Sequence, residues 1–329
     1  MGTFFRVLIL VLLAPIQVVA NSAGKPFEDL QRQIDEIKRG AIFDPIHIDV
    51  DCNSGESLAA ALTAESFDPR MLVIDVSGVC TELLDVRRPR VHLRGVSWDS
   101  AILVDQEDYA VRVDGPKELV ISDLVIQGDF AAVIATRGAS LQIVDSVLEK
   151  SQRGLLCASG STCEVINSQI RENSQGFTII GATTWVRASQ VINNYAGINV
   201  FSNGTAGLTA YPYFSDNRTI VEDNTFGLSV FAGGNANLQS VDIVGNYFAG
   251  IYARQNSHVR FEQDAESLIE NDLFDLYVRS NAGLSNVYNL NVRFGSSNPS
   301  IICDTGGYIE WGIPGQFEPV DIPDACYPN

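Results

Sequence analysis

The sequence predicts an all-β protein that coils as a parallel β-helix, and the first observation behind this is an internal repeat of about 22 residues. Short apolar segments with one alternating pattern end at Asp129, Ser151, Asn173, Asn194, Asn224, Asn246 and Asn271. These end points lie 22, 22, 21, 30, 22 and 25 residues apart. Each is followed by a second apolar run, usually opened by Gly. A repeat of this kind indicates stacked coils, none of which buries its apolar face alone.

The second observation is that apolar residues alternate within a repeat and coincide between repeats. The coinciding sets are Ile143, Val165 and Val186, and then Leu148, Ile170 and Val191. A period of two is typical of strands, and about 22 residues leave room for three short strands and three turns. No helical pattern of useful length interrupts residues 119–284. We therefore expect each strand to pair with its counterpart one coil away, about 4.8 Å along the axis.

The third observation is a column of asparagines just before the Gly-led strand of successive repeats. Its members are Asn173, Asn194, Asn224, Asn246 and Asn271. Stacked Asn side chains hydrogen-bond to one another, and Asn tolerates the left-handed backbone of a tight turn. Asp129 and Ser151 hold this position in the earlier coils, so the predicted ladder covers only part of the stack.

Residues 55–96 carry a resemblance that adds to this repeat. A helix-like stretch at 55–65, a strand at 72–80, Glu82, and a strand ending in L-x-G at 91–95 follow one another. Together with the repeats, this order resembles the right-handed parallel β-helix (pectin lyase-like) superfamily over roughly residues 42–295. The resemblance implies a capping helix near residues 56–66. The superfamily includes lyases, hydrolases, esterases, epimerases and non-catalytic binders, so it leaves the function open.

The two ends of the chain differ from the repeats. Residues 1–20 predict a cleaved secretory signal, with a retained anchor as the alternative. In the linker 21–41, residues 26–39 place Phe27, Leu30, Ile34 and Ile37 on one face of a short amphipathic helix, which either lies on the solenoid or forms a trimerising stalk. Residues 42–295 form the predicted β-helix, and residues 296–329 a final coil or cap.

The six cysteines are an even number in a chain predicted to be exported, which indicates disulfides. Proximity in the sequence suggests three pairs among the 15 pairings that six cysteines allow. They are Cys52 with Cys80, Cys157 with Cys163, and Cys303 with Cys326. We expect a secreted, periplasmic or extracellular protein.

The net charge is −18, from 40 acidic and 22 basic residues. This charge argues against nucleic acid and against anionic membrane surfaces as partners. It also argues against a strongly anionic polysaccharide, unless Ca²⁺ or a local arginine patch intervenes. The simpler interpretation is that the acidity maintains solubility. No metal site and no cofactor are predicted, with Ca²⁺ left open.

A candidate binding site follows from the 30-residue spacing, which adds about eight residues to one coil. The insertion, residues 203–217, contains Tyr211, Tyr213 and Phe214, and Trp185 lies on a strand of the same coil, pointing outward. Exposed aromatic rings stack on sugar rings, so these four residues predict a carbohydrate site. The alternative is that the three loop rings pack the loop onto its coil.

A catalytic role is a weaker hypothesis. Glu164 and Arg187 lie at outward positions near Trp185 and offer a carboxylate and a fixed cation for acid–base work on a glycan. The catalytic motifs of the polygalacturonases, pectin esterases and mannuronan epimerases are absent from the sequence, so catalysis stays open. Two functions remain: a secreted β-helix that binds, cleaves or modifies polysaccharide, or a non-catalytic structural or surface-display solenoid. In either case residues 26–39 offer a route to a homo-oligomer.

Overall fold

The computed structural model describes residues 44–63, 70–105, 108–210, 217–262, 267–287, 292–294, 300–310 and 326. Two compact units divide the chain. Of the described residues, the first contains only 44–46, 70 and 71, and the second contains all the others. The predicted signal, the amphipathic helix 26–39 and the loop rings Tyr211, Tyr213 and Phe214 lie outside the described residues.

Almost all regular structure in the described residues is short strands. In chain order they are β1 Ile46–Asp51, β2 Leu72–Ser77, β3 Val79–Cys80, β4 Leu84–Val86, β5 Arg90–Gly95, β6 Ala101–Val104, β7 Tyr109–Asp114, β8 Glu118–Ser122, β9 Val125–Gly128, β10 Ala131–Thr136, β11 Ser140–Val144, β12 Val147–Glu149, β13 Arg153–Ala158, β14 Thr162–Ile166, β15 Gln169–Arg171, β16 Gln175–Ile180, β17 Thr183–Arg187, β18 Gln190–Ile192, β19 Ala196–Phe201, β20 Thr205–Thr209, β21 Thr219–Glu222, β22 Phe226–Val230, β23 Asn235–Gln239, β24 Val241–Val244, β25 Ala249–Arg254, β26 His258–Phe261, β27 Ser267–Glu270, β28 Phe274–Arg279, β29 Gly283–Ser285, β30 Val292–Phe294, β31 Ile301–Asp304 and β32 Tyr308–Glu310. The helical pieces are the 3-10 turn η1 Cys52–Ser54 and the α-helix α1 Leu58–Thr63.

The strands form three parallel sheets, and the chain visits each sheet once per coil. Sheet A has the order β1-β2-β5-β8-β11-β14-β17-β20-β23-β26-β29-β32, sheet B the order β3-β6-β9-β12-β15-β18-β21-β24-β27-β30, and sheet C the order β4-β7-β10-β13-β16-β19-β22-β25-β28-β31. The predicted coincidences are confirmed as strand registers: Ile143 with Val165, Val165 with Val186, Leu148 with Ile170, and Ile170 with Val191. The predicted parallel β-helix is therefore confirmed.

The Asn ladder is present and is buried. Asn173, Asn194, Asn224 and Asn246 each donate from Nδ2 to Oδ1 of the next Asn, at 2.8 to 3.1 Å, and Asn271 ends the column. Each Nδ2 also donates to backbone carbonyls, so the ladder satisfies polar backbone groups at the turns between sheets B and C in the coils that it spans.

A serine ladder, which the sequence analysis did not predict, satisfies backbone N–H groups at the turn between sheets A and B. The backbone N–H groups of Leu124, Ser146 and Ser168 donate to Oγ of the serine one coil further on, Ser146, Ser168 and Ser189, at 3.1 to 3.2 Å. All three serines are buried. Hydrogen bonds of this kind run from coil to coil and fix the stacking distance.

A glycine column explains why the second strand of a coil usually opens with Gly. A Cβ placed on Gly197 would lie 2.6 Å from the carbonyl oxygen of Gly227, and one on Gly176 would lie 2.5 Å from that of Gly197. Both obstacles are backbone atoms one coil away. Because the backbone hydrogen bonds of the parallel sheets set the coil spacing, this position has no room for a methyl group.

Gly197→Ala is therefore expected to destabilise the protein by about 2 kcal/mol, the usual cost of forcing a methylene into a packed interior. Chemical denaturation monitored by circular dichroism measures the change. Gly138→Asn is the control, because Gly138 has a left-handed φ of 82°, which Asn tolerates, and a Cβ at this position would meet no described atom within 4 Å. Equal stability of the Gly197→Ala variant and the wild type would contradict the packing argument.

The three disulfides pair as the spacing suggested. Cys52–Cys80 joins η1 to β3, Cys157–Cys163 closes the turn between β13 and β14, and Cys303–Cys326 ties β31 to the C-terminal segment. No described cysteine is free. Cross-links of this kind stabilise mainly by restricting the unfolded chain.

The predicted capping helix is present and begins at Leu58, two residues after the predicted start at residue 56. It covers Leu58–Thr63, with Leu58 and Leu62 buried, and residues 64–66 lie outside the described part. The Glu82 carboxylate accepts hydrogen bonds from Ser57 Oγ at 3.1 Å and from Ala59 N at 2.8 Å, which satisfies the first turn. At the other end β31 and β32 continue sheets C and A beyond residue 295. Within the described residues, no helix has the length and apolar character needed to cross a bilayer.

Candidate functional site

A groove lies on the outer face of sheet C, where strands β13, β16, β19, β22 and β25 follow one another. Its volume is about 320 Å³. Side chains alternate along each strand, so the inward ones fill the core and the outward ones line this groove. Pockets of this size, mostly apolar with a few polar groups, are typical ligand sites. We call it the sheet C groove.

The floor of the sheet C groove is a row of small polar side chains. Thr178, Asn199 and Ser229 are register partners on successive strands, so they form one line along the axis. Thr178 Oγ1 donates to Gln175 Oε1 at 2.6 Å. Hydroxyl and amide groups of this kind both donate and accept hydrogen bonds, as sugar hydroxyls do.

One wall of the groove is aromatic and stands directly beside the Asn ladder. Tyr195, which is 63% exposed, meets the ring of Phe226 edge-on, with the ring centroids 5.9 Å apart. Phe226 packs against Phe248 at 4.9 Å, and Phe248 packs against Phe274 at 5.5 Å. The wall therefore continues over three further strands of sheet C. Its rings are held by one another, which gives a stiff apolar surface.

The opposite wall consists of Ile180, Phe201 and Phe231. Ile180 and Phe201 are register partners, and the rings of Phe201 and Phe231 stack at 4.9 Å with an angle of 5° between their planes. Tyr252 lies at the C-terminal end of the groove, 5.8 Å from Phe226 and 5.1 Å from Tyr277. Rings thus face the groove from both sides of the polar floor.

Two arginines line the groove at its ends. The guanidinium of Arg153 lies over the ring of Phe130 at 4.5 Å, and that of Arg254 lies over Phe231 at 4.9 Å and Tyr252 at 5.4 Å. Among the lining residues in the described part of the chain there is no Asp, Glu, His or Lys. The groove therefore has apolar walls, a neutral polar floor and a positive charge at each end, although the net charge of the chain is −18.

The described residues chosen from the sequence, Trp185, Glu164 and Arg187, lie elsewhere, on sheet A. Trp185 points outward from β17 as expected, but its ring covers Gly207 of the next strand, where a Cβ would clash with it. Arg187 Nε lies 3.1 Å from Glu164 Oε1, and Glu164 also accepts from Gln142 Nε2 at 3.0 Å. The proposed acid and cation are therefore an ion pair with each other.

The predicted insertion is narrower than residues 203–217. Thr205–Thr209 form strand β20 of sheet A, so the extra residues lie between β20 and β21. Gly204 and Gly207 interrupt the alternation of apolar residues, so the sequence alone does not mark Thr205–Thr209 as a strand. Tyr211, Tyr213 and Phe214 lie outside the described residues, so their role as a binding surface stays a prediction.

A second charged cluster, on sheet B, has a structural character. Glu149, almost fully buried, accepts from Lys150 Nζ at 2.9 Å and from Arg171 Nε at 2.8 Å. Burial alone would raise the pKa of Glu149, but these two cations outweigh it and the pKa is lowered. No group of three or more His, Cys, Asp or Glu residues in the described ranges is arranged to hold a metal ion.

Comparison with known families supports the fold. No curated protein matches the chain. Among solved structures, an alginate lyase from Paenibacillus sp. str. FPU-7 is similar at a TM-score of 0.39 and 12% identity, over 81% of this chain and 99% of that one. Such a likeness is no guide to activity. A family described as right handed beta helix region matches residues 109–265. With the three parallel sheets, this match shows that the chain has the right-handed parallel β-helix fold.

Proposed function

We propose that the sheet C groove binds a polysaccharide chain and that the protein is an exported glycan-binding solenoid. The observation that carries the proposal is the pair of aromatic walls on either side of a polar floor. A pyranose ring has apolar faces and a hydroxyl-bearing edge. Walls of rings such as Phe226 and Phe201 suit the faces, and Thr178, Asn199 and Ser229 suit the hydroxyls.

Export is part of the proposal, and the three disulfides support it. Disulfides persist in oxidising compartments and are rare where thiols are kept reduced. The apolar segment in residues 1–20 favours the same conclusion from the sequence. The proposal concerns binding, because glycoside hydrolysis needs paired carboxylates and the described lining residues supply none.

The test is retention of the mature protein on a glycan array, followed by titration of the best ligand. Tyr195→Ala and Tyr252→Ala each remove a ring that lines the groove, and each is expected to weaken binding about tenfold. Trp98→Ala is the matched control, because Trp98 is 98% exposed on a turn after β5, outside the groove, and its removal should leave affinity unchanged.

The outcomes separate the alternatives. Unchanged affinity in both Tyr variants would refute the groove as the site. A loss confined to a Trp185→Ala variant would place binding on the outer face of sheet A instead. Absence of retention on every glycan would favour the structural or surface-display solenoid.

A further inference from the structure

We propose that two copies of the protein form a weak antiparallel dimer, in which they meet along the exposed turns between sheets B and C. The residues that directly follow the ladder position in successive coils form a line there, which we call the turn row: Gln152, Ser174, Tyr195, Thr225, Tyr247 and Asp272. The proposed contact is separate from glycan binding and uses no residue of the segment 26–39. Two exposed rings, the order of large and small side chains, and the charges beside them support it.

Two tyrosines of the turn row have most of their surface in solvent. Tyr195 is 63% exposed and Tyr247 is 69% exposed, and Leu273, beside the row, is 48% exposed. Single exposed apolar side chains are ordinary, but several along one line are typical of a contact surface. Tyr247 and Leu273 are not lining residues of the sheet C groove, so a sugar bound there does not account for their exposure.

The turn row is straight, because hydrogen bonds between coils fix its backbone. The N–H of each member donates to the carbonyl of the residue at the ladder position one coil before, as Tyr195 does to Asn173 at 3.2 Å and Tyr247 to Asn224 at 2.8 Å. Successive members therefore lie about 4.8 Å apart, and the whole row extends over about 24 Å. Since the backbone is already ordered, association costs little conformational entropy in the chain.

The order of side chains along the turn row is self-complementary. In a two-fold dimer the same surface serves both copies, so residue i of one contacts residue j of the other and the reverse. We place the two-fold axis perpendicular to the solenoid, between the coils of Asn194 and Asn224. Tyr195 of one copy then faces Thr225 of the other, and Tyr247 faces Ser174. Each ring meets a small side chain rather than a second ring, so the two rows interlock.

The charges beside the turn row favour the same pairing. At the position just before the ladder, each acidic residue faces a cation or an uncharged residue; the facing pairs are Lys150 with Glu270, Glu172 with Gly245, and Asn193 with Asp223. Lys150 and Arg171 share one acid, Glu149, so these three residues together keep a positive charge for Glu270. A parallel dimer would instead bring Glu270 of one copy towards Asp272 of the other, and this repulsion opposes it.

The size of the turn row indicates a transient dimer. Stable complexes bury about 800 Å² on each partner, and a strip one turn wide and about 24 Å long offers less than this. We therefore expect a dissociation constant of about 50 µM. Sedimentation velocity of the mature protein from about 5 to 500 µM covers this value, and the average mass should rise from that of a monomer towards that of a dimer.

Tyr247→Ser removes the ring that lies outside the groove, so this variant should stay monomeric at every concentration and keep the glycan affinity of the wild type. Trp98→Ala is the control, because it removes an exposed ring outside the turn row and should associate like the wild type. A wild type that stays monomeric throughout, or a dimer that survives Tyr247→Ser, would overturn the proposal. Neither result bears on the glycan site, which the array tests separately.

Cross-linking tests the antiparallel arrangement. The described cysteines are all paired in disulfides, so a cysteine introduced on the turn row is the thiol that reacts. Gln152 of one copy faces Asp272 of the other, whereas the two copies of Gln152 lie about 24 Å apart along the axis, as do those of Asp272. With a short bis-maleimide, Gln152→Cys and Asp272→Cys should therefore link in an equimolar mixture and not separately. Linking of either variant alone, or no linking in the mixture, would refute the antiparallel dimer.

Discussion

Replacing Asn224 by Ala is expected to lower the free energy of unfolding by about 4 kcal/mol, because this buried side chain has five hydrogen-bond partners, of which three acceptors share its two N–H groups. Nδ2 of Asn224 donates to the carbonyls of Val191 at 3.0 Å and Glu222 at 2.8 Å, and to Oδ1 of Asn246 at 3.0 Å. Its Oδ1 accepts from N and Nδ2 of Asn194, at 2.9 and 3.0 Å. The side chain is 1% exposed, so water cannot replace these partners.

The measurement is chemical denaturation of the wild type and the variant. A repeat array can lose two-state behaviour, so fluorescence and circular dichroism should both be followed. Asn235→Ala is the matched control: Asn235 is exposed and makes one side-chain hydrogen bond, to the carbonyl of Gly233 at 3.3 Å. It should change stability by less than about 0.5 kcal/mol. A cost below about 1 kcal/mol for Asn224→Ala would mean that the ladder does not hold the coils together.

The Asn ladder also connects stability to the site. Asn194 is followed directly by Tyr195, and Phe226 lies two residues after Asn224, so the ladder sets the height of the first aromatic wall coil by coil. The first aromatic wall of the groove is thus built from residues that closely follow the ladder position, and several successive coils each contribute one ring. Its rigidity comes from the same hydrogen bonds that stabilise the stack.

Much of the fold was predictable from the sequence because every coil of a solenoid has the same strands and turns and packs on its neighbours in the same way. Each coil must match the next in register, so Ile143, Val165 and Val186 share one buried environment and all have β-branched apolar side chains. The ladder was visible for the same reason. The serine ladder was predictable too, since Ser146, Ser168 and Ser189 hold one repeat position. The serine column is a weaker signal than the asparagine column, because Ser is common at turns whether or not it forms a ladder.

The candidate site was harder to predict, for a physical reason. Tyr211, Tyr213 and Phe214 are adjacent in the sequence and so were noticed, whereas the rings of the sheet C groove come from separate coils. Phe201 and Phe231 are 30 residues apart and stack at 4.9 Å. Aligning the Gly-led strands would have placed Phe201, Phe231 and Arg254 in one column. Their alignment predicts proximity, but only the structure shows that the column forms one wall of a groove.

The last expected result concerns the far end of the ladder, where Asp275 takes the place of an Asn. Its Oδ1 accepts from the backbone N of Asn271 at 2.9 Å, and its Oδ2 accepts from that of Ser300, also at 2.9 Å. The residue is 3% exposed. Asp275→Ala leaves both N–H groups without an acceptor, which we expect to cost about 3 kcal/mol near pH 4.

That cost should fall as the pH rises. Burial raises the pKa of Asp275 above its usual value, although the two backbone N–H groups act in the opposite direction. A carboxyl whose pKa is raised in the folded state contributes stability that is fully present below its unfolded pKa of about 3.9 and is lost as the pH rises through the folded pKa. Glu149 has a lowered pKa and the opposite sign, so the pH curve of the wild type alone cannot isolate Asp275.

The difference in unfolding free energy between the wild type and Asp275→Ala isolates it, because the other groups cancel. Denaturation at several pH values between about 4 and 7 should show this difference shrinking steadily. Asp272→Ala is the control, since Asp272 is exposed and three residues away, and its difference should stay near zero throughout. A difference that stays constant or grows with pH would show that the backbone hydrogen bonds, rather than burial, set the charge state of Asp275.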